Sequence, residues 1–236
     1  MSKRSVLITG GSSGIGRATA LRFAADGHNV AVTFNTSEPP EGVLAVKCDV
    51  SQPDSLDAAF AEVQAAHGPV EILVCSAGIT DDQLLIRLKP EQIARVLETN
   101  LAAPINAARI AARRMMMKRF GRIIFIGSTV GMRGEIGQAN YAASKAGLIG
   151  AARAMARELG GYGITVNVVS PGLTDTRMLQ TTIGSEKAAQ KATEVPVPRI
   201  GKPEEVAAMV AFLASDDAGY TTGAVIPVDG GIGMGH

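Results

Sequence analysis

Along most of the chain, short apolar runs rich in β-branched residues alternate with longer stretches in which apolar positions recur every three or four residues. The runs are Ser5–Ile8, Val30–Phe34, Val43–Val46, Val70–Cys75, Arg122–Ile126, Ile164–Val169 and Ala224–Val228. Nearly continuous apolar runs of this length mark strands covered on both faces. Between them, the helical period predicts helices over Gly14–Asp26, Pro53–His67, Leu101–Lys118, Tyr141–Leu159 and Pro203–Ala214. Strands alternating with helices from end to end imply right-handed crossovers and an α/β fold, a doubly wound parallel sheet of about seven strands with helices on both faces. Ligands of such sheets gather at the carboxyl ends of the strands, where the strand order reverses.

The segment from Thr174 to Lys202 breaks the alternation. It holds Pro196, Pro198 and Gly201 but also Met178, Leu179, Ile183, Val195 and Val197. An irregular segment with apolar side chains near the ligand end of a sheet reads as a lid over an apolar substrate; a variable surface excursion is the competing reading.

Composition narrows the class. The 236 residues are 46% hydrophobic but only 4% aromatic, without Trp, so residues 1–236 form one domain with an aliphatic core. The charge is nearly balanced, 23 Lys and Arg against 22 Asp and Glu, which gives no electrostatic footprint for nucleic acid or an anionic membrane. The opening MSKRSVLITG enters the first strand without an apolar leader, and no later run approaches a membrane span, so a cytoplasmic protein is expected. Cys48 and Cys75 lie in strand-like stretches and read as small buried thiols. His28, His67 and His236 are scattered without ligand spacing, and no metal is expected.

Two groups of residues carry chemistry. The first is the turn TGGSSGIG, Thr9 to Gly16, between the first strand and the first helix. Its backbone N–H groups can meet a pyrophosphate, which makes Gly10, Ser12, Ser13, Gly14, Ile15 and Gly16 candidate cofactor contacts. The second is Ser128, Tyr141 and Lys145. Ser128 ends the fifth strand, where its hydroxyl can hold a carbonyl oxygen. Tyr141 and Lys145 are four apart on one helix face, so an ammonium comes beside a phenol and should favour its ionised form, lowering its ordinary pKa of about 10. Tyr-x3-Lys alone is a common helix-surface contact; joined to Ser128 and the glycine turn, it points to reduction of a carbonyl by hydride transfer. The second strand ends in Asn35, Thr36 and Ser37, with no acid to accept a ribose 2′-hydroxyl, which favours NADPH held by hydroxyl and amide donors; Arg17 is the nearest basic residue in sequence.

The whole arrangement resembles the short-chain dehydrogenase/reductase superfamily over essentially the full chain. Its fingerprint TGxxxGIG spans Thr9 to Gly16, Asp49-Val50 follows the third strand, and Pro171-Gly172 precedes Thr174 and Thr176. Ser76-Ala77-Gly78 departs from the family's usual Asn-Ala-Gly. The resemblance implies a Rossmann fold, adenine beside Asp49 and Val50, the nicotinamide carboxamide beside Pro171, Gly172, Thr174 and Thr176, and Lys145 on the ribose hydroxyls. It also implies Asn100 as a fourth catalytic residue. Pro104 lacks the N–H that would bond the Asn100 carbonyl in a continuous helix, which would leave that oxygen for a water linking Lys145 to solvent.

Within the superfamily the resemblance is greatest to bacterial 3-oxoacyl-(acyl-carrier-protein) reductases, through the strings Arg119 to Ile124, Gln138 to Gly147, Gly163 to Gly172 and Gly223 to Gly231. This implies NADPH-dependent reduction of a β-ketoacyl thioester in fatty acid elongation. A ketoreductase of a discrete polyketide pathway, another short-chain alcohol dehydrogenase, and a non-catalytic dinucleotide sensor are the alternatives. An acidic carrier would dock on Arg113, Arg114, Lys118 and Arg119, although cations at a helix end also suit its dipole. A second basic position of that family falls on Tyr162. The family implies a homotetramer, built through Pro203–Ala214 with the final strand and through the helices around Leu101–Lys118 and Tyr141–Leu159.

Overall fold

The structure, a computed structural model, describes residues 3–234. Seven strands form one sheet: β1 (Ser5–Thr9), β2 (Asn29–Phe34), β3 (Leu44–Lys47), β4 (Ile72–Cys75), β5 (Gly121–Ile126), β6 (Ile164–Pro171) and β7 (Val225–Val228). Their order is β3-β2-β1-β4-β5-β6-β7 and every neighbouring pair is parallel. The helices are α1 (Gly14–Ala25), α2 (Pro53–His67), α3 (Pro90–Leu97), α4 (Ala103–Lys118), α5 (Val130–Arg133), α6 (Ala139–Leu159), α7 (Arg177–Ile183), α8 (Ser185–Ala192) and α9 (Pro203–Ala214). This is the doubly wound, single-domain Rossmann arrangement that the alternating pattern predicts.

The pleat of each strand sorts its side chains to two faces. Leu7, Ala31, Leu73, Ile123, Phe125, Val166 and Val168 point to the layer containing α2, α4 and α6. Val6, Ile8, Val30, Val32, Ile72, Val74, Ile124 and Ile126 point to the layer containing α1 and α9. Both sets are buried, so each strand reads as a continuous apolar run.

Local chemistry sets the helix ends. Pro203 opens α9 at a position where a missing N–H costs nothing, and Glu205 reaches back to accept the Lys202 N–H at 2.8 Å. Pro90 and Gln92 do the same for α3, with the Lys89 N–H donating to Gln92 Oε1 at 3.0 Å. The pattern of apolar positions does not reveal α3, because Val96 is its only buried residue. The predicted start of a helix at Leu101 is also revised. α3 continues through a π-turn, Glu98–Ala102, into α4, and the Ala103 N–H bonds back to the Glu98 carbonyl. Pro104 has no N–H for the ladder at this point, and the widened turn accommodates the loss.

The irregular stretch from Thr174 to Lys202 carries two short helices, α7 and α8. Their few turns, separated by Gly184, are too short to show a sequence period.

Candidate active site

The order of strands reverses between β1 and β4, and the crevice lies at their carboxyl ends. Gly10 has φ +67°, and a Cβ there would stand 2.7 Å from Ala77 Cα, so the turn after β1 and the turn after β4 touch backbone to backbone. The Gly10 N–H donates to Thr33 Oγ1 and the Gly11 N–H to the Thr33 carbonyl, both at 3.1 Å, which fixes the glycine turn to β2. α1 then starts at Gly14 with no side chain capping it and no acid in its first turn. Its first N–H groups and the positive end of its dipole are available to an anion.

A cavity of about 630 Å³ runs from this turn across the ends of the strands. Of the glycine-turn candidates, Gly10, Ser12, Ser13, Gly14 and Ile15 line it. Asn35 and Thr36 after β2, Asp49 and Val50 after β3, Ser76, Ala77 and Gly78 after β4, and Pro171, Gly172, Thr174 and Thr176 after β6 line it as well. Gly16 does not. It lies behind the turn, where a Cβ would meet the Gly10 carbonyl oxygen at 2.3 Å, so its contribution is the close approach of α1 to the turn. Arg17 is exposed and lies outside the cavity lining.

Ser128, Tyr141 and Lys145 line the same cavity, on the β5 side of the glycine turn. Ser128 follows β5; its Oγ accepts the Val130 N–H at 3.1 Å, which leaves its own proton free to point outward. Tyr141 and Lys145 come from the first turns of α6, and the Lys145 Nζ lies 5.6 Å from the centre of the Tyr141 ring. Lys145 is 6% exposed, and its ammonium donates to the Ile126 carbonyl at 2.8 Å.

Burial, rather than mutual attraction, dominates the two titrations. Burial pushes the Tyr141 phenol up to about 12, with Asp82 adding to the rise and Ser128 opposing it. Burial likewise pulls the Lys145 ammonium down to about 8, against a smaller upward pull from Cys75. The expected lowering of the phenol by Lys145 is therefore reversed, because desolvation drives each group toward its neutral form. Cys75, wholly buried, is itself raised to about 12 and is chemically quiet.

Asn100 is fully buried in the π-turn and does not line the cavity. Its Oδ1 accepts the Ile79 N–H and its Nδ2 donates to the Ile79 carbonyl, both at 2.9 Å, while Nδ2 also reaches Ser144 Oγ at 3.3 Å. A Cβ on Gly78 would touch Asn100 Oδ1 at 3.3 Å and Lys145 Nζ at 3.6 Å, so the carboxamide stands just behind the lysine. It anchors the turn after β4.

The cavity also takes in residues with no motif of their own. Thr80, Arg133, Glu135, Gln138, Thr182 and Lys191 line its mouth. They are spread over more than a hundred positions, and only the folded chain gathers them. At the end of α4, Arg113, Arg114, Lys118 and Arg119 are exposed; Arg119 adopts a left-handed φ of 51° and donates from its guanidinium to the Gly161 carbonyl at 3.0 Å. Among the described residues no group of three His, Cys, Asp or Glu side chains gathers to hold a metal, and no helix is long and apolar enough to cross a membrane.

A sequence model of the family described as enoyl-(acyl carrier protein) reductase matches residues 10–233. The 3-oxoacyl-[acyl-carrier-protein] reductase MabA of Mycobacterium tuberculosis is 52% identical over 234 residues, covering 99% of this chain and 94% of that protein. Its counterpart from Mycobacterium avium is 53% identical, over 99% of this chain and 91% of its own length. The 3-oxoacyl-[acyl-carrier-protein] reductase FabG of Escherichia coli is 44% identical over 236 residues, 97% of this chain and 96% of that protein. Similarity of this depth spans nearly the whole chain, and the chain belongs to the short-chain dehydrogenase/reductase family.

Proposed function

We infer that this protein is an oxidoreductase that reduces a β-ketoacyl thioester on acyl carrier protein to the 3-hydroxyacyl thioester with NADPH, as a step of fatty acid elongation. The observation that carries this reading is that Ser128 and Tyr141 stand side by side in the cavity that the glycine turn also lines. Two neighbouring hydroxyls suit a ketone oxygen, which one can hold by a hydrogen bond while the other gives it a proton as hydride joins the carbon.

The residues present fit a nicotinamide dinucleotide phosphate. Its pyrophosphate would rest on the uncapped start of α1, its adenine beside Asp49 and Val50, and its nicotinamide beside Pro171, Gly172, Thr174 and Thr176. Asn35, Thr36 and Ser37 offer donors and no carboxylate to the 2′-phosphate, which supports NADPH over NADH. When bound, the cofactor supplies the hydride that joins the carbonyl carbon. Ser128 donates a hydrogen bond to the carbonyl oxygen, and Tyr141, kept protonated by its high pKa, gives that oxygen its proton. Lys145 holds the ribose hydroxyls and offers the route by which Tyr141 regains a proton. Asn100 holds the turn beside Lys145, and the segment 174–202, with α7 and α8, covers the acyl group.

The basic end of α4 fits an acidic carrier. Phe212, Tyr220 and Met234, exposed around α9 and β7, are apolar surface suited to a homotetramer contact.

Initial rates of NADPH and NADH oxidation with a short β-ketoacyl thioester, for the native chain and Tyr141→Phe, test the reading. Turnover that prefers NADPH and needs Tyr141 supports it. Turnover of the enoyl thioester alone, or of neither despite cofactor binding, overturns it.

A further inference from the structure

The mouth of the cavity is crossed by an ionic cluster that no catalytic step requires. Glu135, in the turn after α5, accepts from Arg133 Nη2 at 3.0 Å and from Lys191 Nζ at 3.3 Å through the same oxygen, Oε2. Arg133 belongs to α5, whereas Lys191 belongs to α8, so the carboxylate joins the body of the domain to the segment read as a lid. All three side chains line the cavity. The other carboxylate oxygen, Oε1, accepts the Ile136 N–H at 3.3 Å, which orients the group at its root and leaves Lys191 as the moving partner.

The composition of α8 gives this contact weight. Its sequence, SEKAAQKA, has no large apolar residue, and among its described side chains the buried ones are the methyl groups of Ala188 and Ala192. Such a helix gains little from apolar burial, so polar contacts decide how long it stays down. Elsewhere the lid is tied to the body beside α7 by Thr80 Oγ1 and Thr182 Oγ1 at 3.3 Å, and beyond α8 by the Val197 N–H to the Gly230 carbonyl at 2.9 Å and by Arg199 to Glu205.

We propose that Glu135 is a positioning residue for the acyl substrate, clasping α8 across the mouth through Lys191 while Arg133 holds its carboxylate in place. The effect on substrate rests on the reading of residues 174–202 as a lid over a β-ketoacyl thioester; the clasp itself does not. The Lys191 side chain is 42% exposed, so the clasp opens as salt rises.

The test compares the native chain, Glu135→Gln, Lys191→Glu and the double charge reversal Glu135→Lys with Lys191→Glu. Amide hydrogen exchange over residues 185–192 reads the clasp without turnover. Kinetics with an uncharged short β-ketoacyl thioester, without carrier protein and at saturating NADPH, read its effect on substrate without the salt dependence of carrier docking. The expected result is faster exchange in both single variants, with recovery in the double reversal. KM for the thioester should rise about three- to tenfold in the single variants, with a smaller change in kcat and a weaker dependence on salt. Unchanged exchange in Glu135→Gln, or no recovery in the double reversal, overturns the clasp. Faster exchange with unchanged KM overturns its role in substrate positioning. Absence of turnover by the native chain overturns the proposed reaction, and exchange still decides the clasp.

Discussion

The Lys145 ammonium donates to the carbonyl of Ile126 at 2.8 Å, tying the helix that carries Tyr141 to the strand that presents Ser128. One hydrogen bond thus sets the spacing between two elements that the chain supplies separately. The same burial that makes the bond strong also makes the charge costly.

Lys145 is shifted from an ordinary 10.5 to about 8 in the folded chain. Below about 8 the buried ammonium is charged and penalised; above it the native chain releases a proton that the unfolded chain keeps until 10.5, so this group adds stability as pH rises through that window. The difference in unfolding free energy between the native chain and Lys145→Met should therefore increase from pH 8 toward pH 10.5, measured by urea titration. NADPH affinity should run the other way, weakening above about pH 8 in the native chain and losing that dependence in Lys145→Met.

Tyr141→Phe removes the proton donor and leaves the ring. The turnover number should fall about a hundred- to ten-thousandfold, while NADPH binding followed by cofactor fluorescence stays within about twofold. Ser128→Ala should cost turnover by a similar route, about ten- to a thousandfold.

The Asn100 carboxamide pairs with both backbone groups of Ile79 and sits wholly out of water. Replacing it by Ala leaves the Ile79 N–H and carbonyl unpaired and should destabilise the fold by about 1–3 kcal/mol. Thermal unfolding checks the magnitude. Asn100→Asp keeps the acceptor but loses the donor to the Ile79 carbonyl, and it places a buried charge near Lys145, so it should not rescue stability.

An acid at the end of β2 would compete with a 2′-phosphate. Asn35→Asp should weaken NADPH binding about tenfold or more and narrow or reverse the preference over NADH, read as the ratio of kcat/KM for the two cofactors.

A Cβ at position 16 would come within 2.3 Å of the Gly10 carbonyl oxygen, and backbone cannot yield as a side chain can. Gly16→Ala should push α1 away from the glycine turn, costing about 1–3 kcal/mol of stability and most of the cofactor affinity. Isothermal titration with NADPH on folded material separates the two losses.

The strands were legible because both faces of the sheet are covered, so Val6, Leu7 and Ile8 are apolar together, with no alternation to blur the run. Tyr141 and Lys145 were legible because one turn of helix links them. Asn100 is different. Its partners, Ile79 and Ser144, lie 21 and 44 residues away, and nothing local in the sequence marks its carboxamide as the anchor of a distant turn. Glu135 and Lys191 are an ordinary acid and an ordinary base until α8 folds over the mouth. The pKa directions were hidden for the same reason, since sequence spacing reports the nearness of Tyr141 and Lys145 but not how little water reaches them.

The π-turn at Glu98–Ala102 gives the α3–α4 rod a step in its phase. One added residue per turn rotates everything after it by about 100° relative to an unbroken α-helix. α3, the π-turn and α4 all pack on α6, and in the π-turn Leu101 seats against Gly147 of that helix, where a Cβ would meet its side chain at 2.8 Å. A chain shortened by one residue here would force Pro104 into an ordinary helical turn, swing Asn100 away from Ile79 and release the turn that stands beside Lys145.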